Sequence, residues 1–161
     1  MKRILVLSDT HIPRTASDLP DKVYDEITNV DMVFHAGDFV EKEMLDKLMT
    51  LKATKAVCGN MDSTVLHHIL NQKEVIQVEN VRIGLIHGYG APRDLVETVK
   101  SEFDKVDAIV FGHSHASMNI TKDGILFFNP GSPTDKIFAA SNSYGILEVD
   151  DKKITSHIIA L

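Results

Sequence analysis

Short polar strings punctuate this chain, and nearly every one follows an apolar run of strand length. Ile4-Leu5-Val6-Leu7 leads into Ser8-Asp9-Thr10-His11, and Met32-Val33-Phe34 leads into Gly37-Asp38. Ala56-Val57-Cys58 precedes Gly59-Asn60-Met61-Asp62, and Ile83-Gly84-Leu85-Ile86 precedes His87-Gly88. Ala108-Ile109-Val110-Phe111 precedes Gly112-His113-Ser114-His115. Apolar runs this short fit buried strands. Polar groups at the ends of several such strands would meet at one edge of a sheet, where α/β proteins build their sites. Asp9, His11, Asp38, Asn60, His87, His113 and His115 gathered there read as a two-metal site.

The residue types narrow the chemistry. One residue separates Asp9 from His11, and one separates His113 from His115. In extended chain that spacing sends both side chains of a pair to the same side. Mixed carboxylate and imidazole ligands suit Mn, Fe, Ni, Co or Zn, whereas Mg and Ca prefer mostly oxygen. Gly37 lets the chain turn sharply before Asp38, and Asn60 offers a neutral amide oxygen. Of the other polar residues, His35 reads as a packed histidine near the site, and His67 and His68 as surface or rim groups. His157 has no partner in sequence, and Cys58 reads as a buried thiol. Asp62 is expected either to support a ligand or to cap a helix. Arg14 and Arg93 follow site strings; each reads first as a rim charge, with contact to a substrate phosphate as the alternative.

Helical spacing of apolar residues predicts helices near 20–29, 41–50, 63–70 and 92–103. After Ser114 that spacing disappears. Lys122-Asp123-Gly124 and Asp150-Asp151 then mark two hairpins. The order β-α-β-α-β, strands, one more helix and hairpins predicts a single α/β domain over 1–161, a sandwich with antiparallel additions. Net charge is -6, and Lys and Arg form no run, which argues against broad nucleic-acid binding. One cysteine allows no intrachain disulfide. The apolar stretch after Arg3 is too short for a secretion signal, and no run approaches a membrane span. A cytoplasmic protein is expected. An exposed apolar edge could make it a dimer or tetramer.

The order Asp-x-His, Gly-Asp, Gly-Asn-x-Asp, His-Gly, Gly-His-x-His resembles the calcineurin-like metallophosphoesterase family, in particular its small single-domain prokaryotic phosphodiesterases. Ser8-Asp9-Thr10-His11-Ile12-Pro13 and Asn129-Pro130-Gly131-Ser132 also resemble the retromer scaffold subunit that shares the fold. The resemblance covers essentially the whole chain. It implies a four-layer αββα sandwich, two mixed β-sheets flanked by helices, with the metal site at one rim. It implies that Asp9, His11, Asp38 and His115 hold one ion, and that Asp38, Asn60, His87 and His113 hold the other. Asp38 is then the bridge, and Asp38, Asn60 and His113 are the residues closest to the chemistry. Two ions about 3.5–4 Å apart would share a hydroxide that attacks the phosphoryl group. Expected cofactors are two divalent transition-metal ions per chain, manganese first, with nickel, iron, cobalt or zinc as alternatives.

Many relatives carry histidine where this chain has Met61, and a thioether has no proton to give a leaving group. The expected function is hydrolysis of a small phosphodiester or nucleotide-like substrate. A non-catalytic protein-binding scaffold and a phosphomonoesterase or nuclease are the alternatives. The filled ligand set favours catalysis.

Overall fold

The computed structural model describes residues 1–161. Ten strands and four α-helices follow one another: β1 Lys2–Leu7, α1 Asp21–Thr28, β2 Met32–His35, α2 Lys42–Leu51, β3 Thr54–Ala56, α3 Thr64–Ile69, β4 Lys73–Val78, β5 Val81–Ile86, α4 Leu95–Ser101, β6 Ala108–Val110, β7 Met118–Lys122, β8 Ile125–Asn129, β9 Ser143–Asp150 and β10 Lys153–Ala160. The helix expected over 92–103 begins as a 3-10 turn, Pro92–Asp94, before α4. No helix is long and apolar enough to cross a membrane.

The strands form two five-stranded sheets, ordered β10-β9-β1-β2-β3 and β4-β5-β6-β8-β7. In the first, β1, β2 and β3 run parallel, and β9 pairs antiparallel with β1. In the second, β5, β6 and β8 run parallel, with β4 and β7 antiparallel at the edges. Both sheets are therefore mixed, as the resemblance implied. The strands that deliver the polar strings do not share one sheet, however. β1, β2 and β3 belong to the first and β5 and β6 to the second, so the expected single sheet edge is in fact a rim where two sheets meet. Hydrophobic periodicity marks a strand but carries no information about which sheet it joins.

Alternation along each strand builds three apolar layers. On β1, Ile4 and Val6 face the second sheet and pack with Phe34, Ile83, Leu85, Val110 and Phe128. Leu5 and Leu7 face the other way, against Val23 and Ile27 of α1 and Met44, Leu45 and Leu48 of α2. Leu95 and Val99 of α4 cover Ile109 and Phe127 on the outer face of the second sheet. The result is α-β-β-α.

Phe34 and Phe128 are completely buried in the layer between the sheets. Phe34→Ala should cost about 3–5 kcal/mol, as expected for loss of a core phenylalanine. Denaturant unfolding should show this as a lower midpoint at unchanged slope. A loss below about 1 kcal/mol would place the packing core elsewhere.

Candidate metal centre

Each polar string leaves its strand through a tight turn. Asp9, His11, Asp38, His113 and His115 all have left-handed backbone, with φ of 55°, 46°, 61°, 72° and 62°. The extended geometry expected for Asp9-x-His11 and His113-x-His115 is therefore wrong. Left-handed backbone turns successive side chains inward from a loop, where an extended chain would line them along a strand. Such residues cost on the order of 1–3 kcal/mol each, least for Asp, Asn and His.

The loops brace one another. Asp9 N–H donates to Gly37 O and His11 N–H to Asp38 O, each at 3.0 Å. Gly112 N–H donates to His87 O at 3.0 Å. A Cβ at Gly112 would collide with Ser8 Oγ and stand 2.6 Å from Asp9 Oδ2, so only glycine lets the two loops meet. Asp62 is the clamp between the second and third loops. Its carboxylate accepts N–H bonds from Asp38 at 3.0 Å, Val40 at 2.8 Å and Gly59 at 2.7 Å. The supporting role expected for Asp62 thus holds, and the helix cap does not: Ser63 caps α3, accepting from Leu66 N–H.

Two carboxylates occupy the centre, and each divides its oxygens between anchor and site. Asp9 Oδ2 accepts from Ser8 Oγ at 2.7 Å and from His113 N–H at 3.1 Å. Asp9 Oδ1 lies 3.4 Å from His115 Nε2 and 3.8 Å from both His11 Nε2 and His87 Nε2. Asp38 Oδ1 accepts from Met61 N–H at 2.8 Å. Asp38 Oδ2 lies 3.2 Å from His87 Nε2 and 3.5 Å from His11 Nε2.

The histidines are oriented through their other ring nitrogen. His87 Nδ1–H donates to Ala36 O at 2.7 Å and His115 Nδ1–H to Asp135 at 2.5 Å, which frees both Nε2 atoms for the centre. His113 Nε2–H donates to Gly90 O at 3.0 Å, leaving Nδ1 as its available atom. The His113 ring stands edge-on to His87 with centroids 5.4 Å apart, and Asn60 Oδ1 lies 3.1 Å from His87 Nε2. His35 differs. Its Nδ1 accepts from Gly37 N–H at 3.1 Å, its Nε2 lies 3.1 Å from Thr10 Oγ1, and its ring stacks on Phe39. Burial lowers its pKa to about 3, so it is a neutral packed histidine, as expected.

Two ligand-sized clusters result: Asp9, His11 and His115; and Asp9, Asp38 and His87. Asn60 adjoins the second through His87, and Asn60 and His113 both line a cavity that His11, Asp38 and His115 also line. The fit to a cation shows in the bonding. Asp9 Oδ1 and His11 Nε2 are buried with no hydrogen-bond partner. A buried carboxylate oxygen and a buried imidazole nitrogen left unpaired side by side are costly unless a cation joins them. The centre is suited to divalent metal.

The sequence reading missed Asp135. Nothing in Ser132-Pro133-Thr134-Asp135 marks it, because its role depends on a chain reversal that brings the segment back over His115. The neighbouring turn acts through shape: Asn129 Nδ2–H donates to Gly112 O, Ser132 O–H to Asp9 O and Thr134 O–H to Thr10 O. His67, His68 and His157 are exposed, and Cys58 is buried. Arg14 lines the cavity over the centre, while Arg93 is exposed and pairs with Asp94.

Residues 1–152 match the family model described as the calcineurin-like phosphoesterase superfamily domain. The chain belongs to that superfamily. A probable metallophosphoesterase of Methanocaldococcus jannaschii is 39% identical over 132 residues, covering 80% of this chain and 67% of that one. Among solved structures, a Thermotoga maritima protein is 34% identical, covers 100% of both chains and superposes with a TM-score of 0.78. Vps29 of Entamoeba histolytica, solved with zinc, is 26% identical over 98% of each chain with a TM-score of 0.76. Membership of this superfamily supports a phosphoesterase and agrees with the candidate metal ligands gathered at the buried centre.

The protonation of the metal-free metallophosphoesterase centre follows from its contacts. Burial alone would raise the pKa of Asp9, but the His115 and His11 rings facing Oδ1 at 3.4 and 3.8 Å and the charge of His87 hold it well below the carboxylate range. Burial alone would lower His87, but Asp38 and Asp9 raise it to about 9. Asp9, opposed by desolvation, also raises His115 to about 9. Both histidines titrate above their ordinary 6.5, so the stability they contribute is complete below that pH and is lost as pH rises toward about 9. The melting temperature of metal-free protein should fall across this window. Metal must displace these protons, so binding near neutral pH should release them. Calorimetry in buffers of different ionisation enthalpy measures the release. Binding without proton release would contradict the assigned contacts.

Proposed function

We propose that this chain is a phosphodiesterase acting on a small phosphodiester or nucleotide-like substrate with two divalent transition-metal ions, manganese foremost. The observation that carries the reading is the unpaired, buried Asp9 Oδ1 beside the unpaired His11 Nε2. In this reading Asp9, His11, Asp38 and His115 hold one ion, and Asp38, Asn60, His87 and His113 hold the other. Bound there, the cations would supply Lewis acidity toward phosphoryl oxygens and an activated water as nucleophile. The chain's residues do the rest. The backbone N–H of Met61 and the ring of His87 keep Asp38 ionised against its burial. Ala36 O and Asp135 fix the ring tautomers of His87 and His115. Arg14, exposed on the cavity wall, meets phosphoryl charge.

Met61 lines the same cavity and is 41% exposed, and it brings no proton. That favours esters whose leaving groups need little protonation, and so diesters of aryl alcohols over alkyl monoesters. A second reading, a protein-binding scaffold, draws support from the likeness to Vps29, whose name places it in vacuolar protein sorting.

Metal-stripped protein given Mn, Ni, Co, Zn or Mg separately should hydrolyse bis(4-nitrophenyl) phosphate, with alkyl monoesters much slower. Asp38→Ala should abolish the activity. Met61→His should raise rates on poor leaving groups more than on aryl esters, within the roughly 10²–10⁴-fold range of acid catalysis. Faster turnover of alkyl monoesters would contradict the diesterase reading. A folded, metal-loaded protein inert toward every ester would favour the scaffold.

A further inference from the structure

The segment after the Asn129–Ser132 turn presents two large apolar side chains that the fold does not cover. Ile137 is 75% exposed and Phe138 is 77% exposed. Single exposed apolar residues are ordinary. These two are adjacent, and both line the cavity of about 450 Å³ that also holds His11, Asp38 and His115. Met61 lines it as well.

The backbone beneath them is held in place. Asp135 accepts N–H bonds from Ile137 at 2.8 Å, Phe138 at 3.2 Å and Ala139 at 2.8 Å. Asn142 Nδ2–H donates to the carbonyls of Asp135 at 2.6 Å and Ser132 at 3.2 Å. The same Asp135 carboxylate receives the Nδ1–H of His115. The Phe138 ring stands edge-on to the His115 ring, with centroids 5.9 Å apart at 78°. One carboxylate therefore sets both a site histidine and the apolar pair beside it. The backbone of the pair is thereby tied to the carboxylate that orients His115.

We propose that Phe138 and Ile137 form a subsite for a flat aromatic ring, aryl or nucleobase, carried by the phosphoester; this rests on the phosphoesterase reading above. The cavity asks for an occupant with two characters. Arg14 and the metal centre take an anion, and the Ile137-Phe138 wall takes an apolar group. A bare phosphate would satisfy the first alone. A cavity of about 450 Å³ is of the size that holds an organic ligand. An exposed phenylalanine offers its ring for offset or edge-to-face contact with another.

The test compares bis(4-nitrophenyl) phosphate with methyl 4-nitrophenyl phosphate. These share a leaving group, and their intrinsic difference in reactivity is the same for every variant, so a change in their ratio reports contact with the retained ring. Phe138→Ala should lower the aryl-to-methyl ratio of kcat/KM on the order of three- to tenfold. Phe138→Tyr should keep the ratio. In parallel, calorimetry on zinc-loaded protein should show phenyl phosphate binding more tightly than methyl phosphate, with the difference reduced in Phe138→Ala. An unchanged ratio and an unchanged binding difference would overturn the subsite. So would a wild-type dimer that Phe138→Ala dissociates, which would assign the wall to a second copy of the chain. If no ester is hydrolysed, the phosphoesterase reading fails, and the binding comparison decides the subsite alone.

Discussion

Two carboxylates share the buried rim of this molecule, and much of the local structure exists to keep both ionised there. Asp9 is completely inaccessible, Asp38 is almost so, and the charge of Asp9 opposes ionisation of Asp38. Isolated charges in such a place would be strongly disfavoured. Three devices offset this. One oxygen of each carboxylate is bonded to backbone N–H, from His113 or Met61. Histidine nitrogens face the other oxygen. A divalent cation, which the unpaired Asp9 Oδ1 and His11 Nε2 suit, would be the third. Without it, the histidines must carry protons in its place, which accounts for the raised values of His87 and His115.

Bringing these groups together requires backbone that most residues avoid. Five of the candidate ligands adopt left-handed conformations. Glycine at positions 59 and 112 leaves room for the carboxylates of Asp38 and Asp9, where a Cβ would collide with a neighbouring loop. Strain concentrated at a site persists only when the surroundings over-determine it. Here the surroundings are the three N–H bonds to Asp62 and the hydroxyl groups of Ser132 and Thr134 on the carbonyls of Asp9 and Thr10.

The sequence showed the elements and the ligand types clearly, because both are local. Apolar runs such as Ile4–Leu7 mark strands by themselves, and helical spacing placed α1, α2 and α3 within about two residues of their ends. The division of the strands between two sheets was not legible from periodicity; only the family resemblance supplied it. The Asp9-x-His11 spacing suggested an extended chain, because side-chain pattern does not report φ. Asp62 was ambiguous for a related reason: its partners Asp38 and Val40 lie 24 and 22 residues away. Asp135 was invisible, since its partner His115 and the aromatic Phe138 meet only after the chain reverses.

The central claim is that the unpaired atoms at the rim form a cation site. Anomalous diffraction from crystals loaded with manganese or zinc tests it most directly. Two peaks are predicted in the cleft, one bonded to Asp9 Oδ1 and His11 Nε2 and the other to Asp38 and His87. Full loading conditions that leave Asp9 Oδ1 and His11 Nε2 without a metal neighbour would contradict the account.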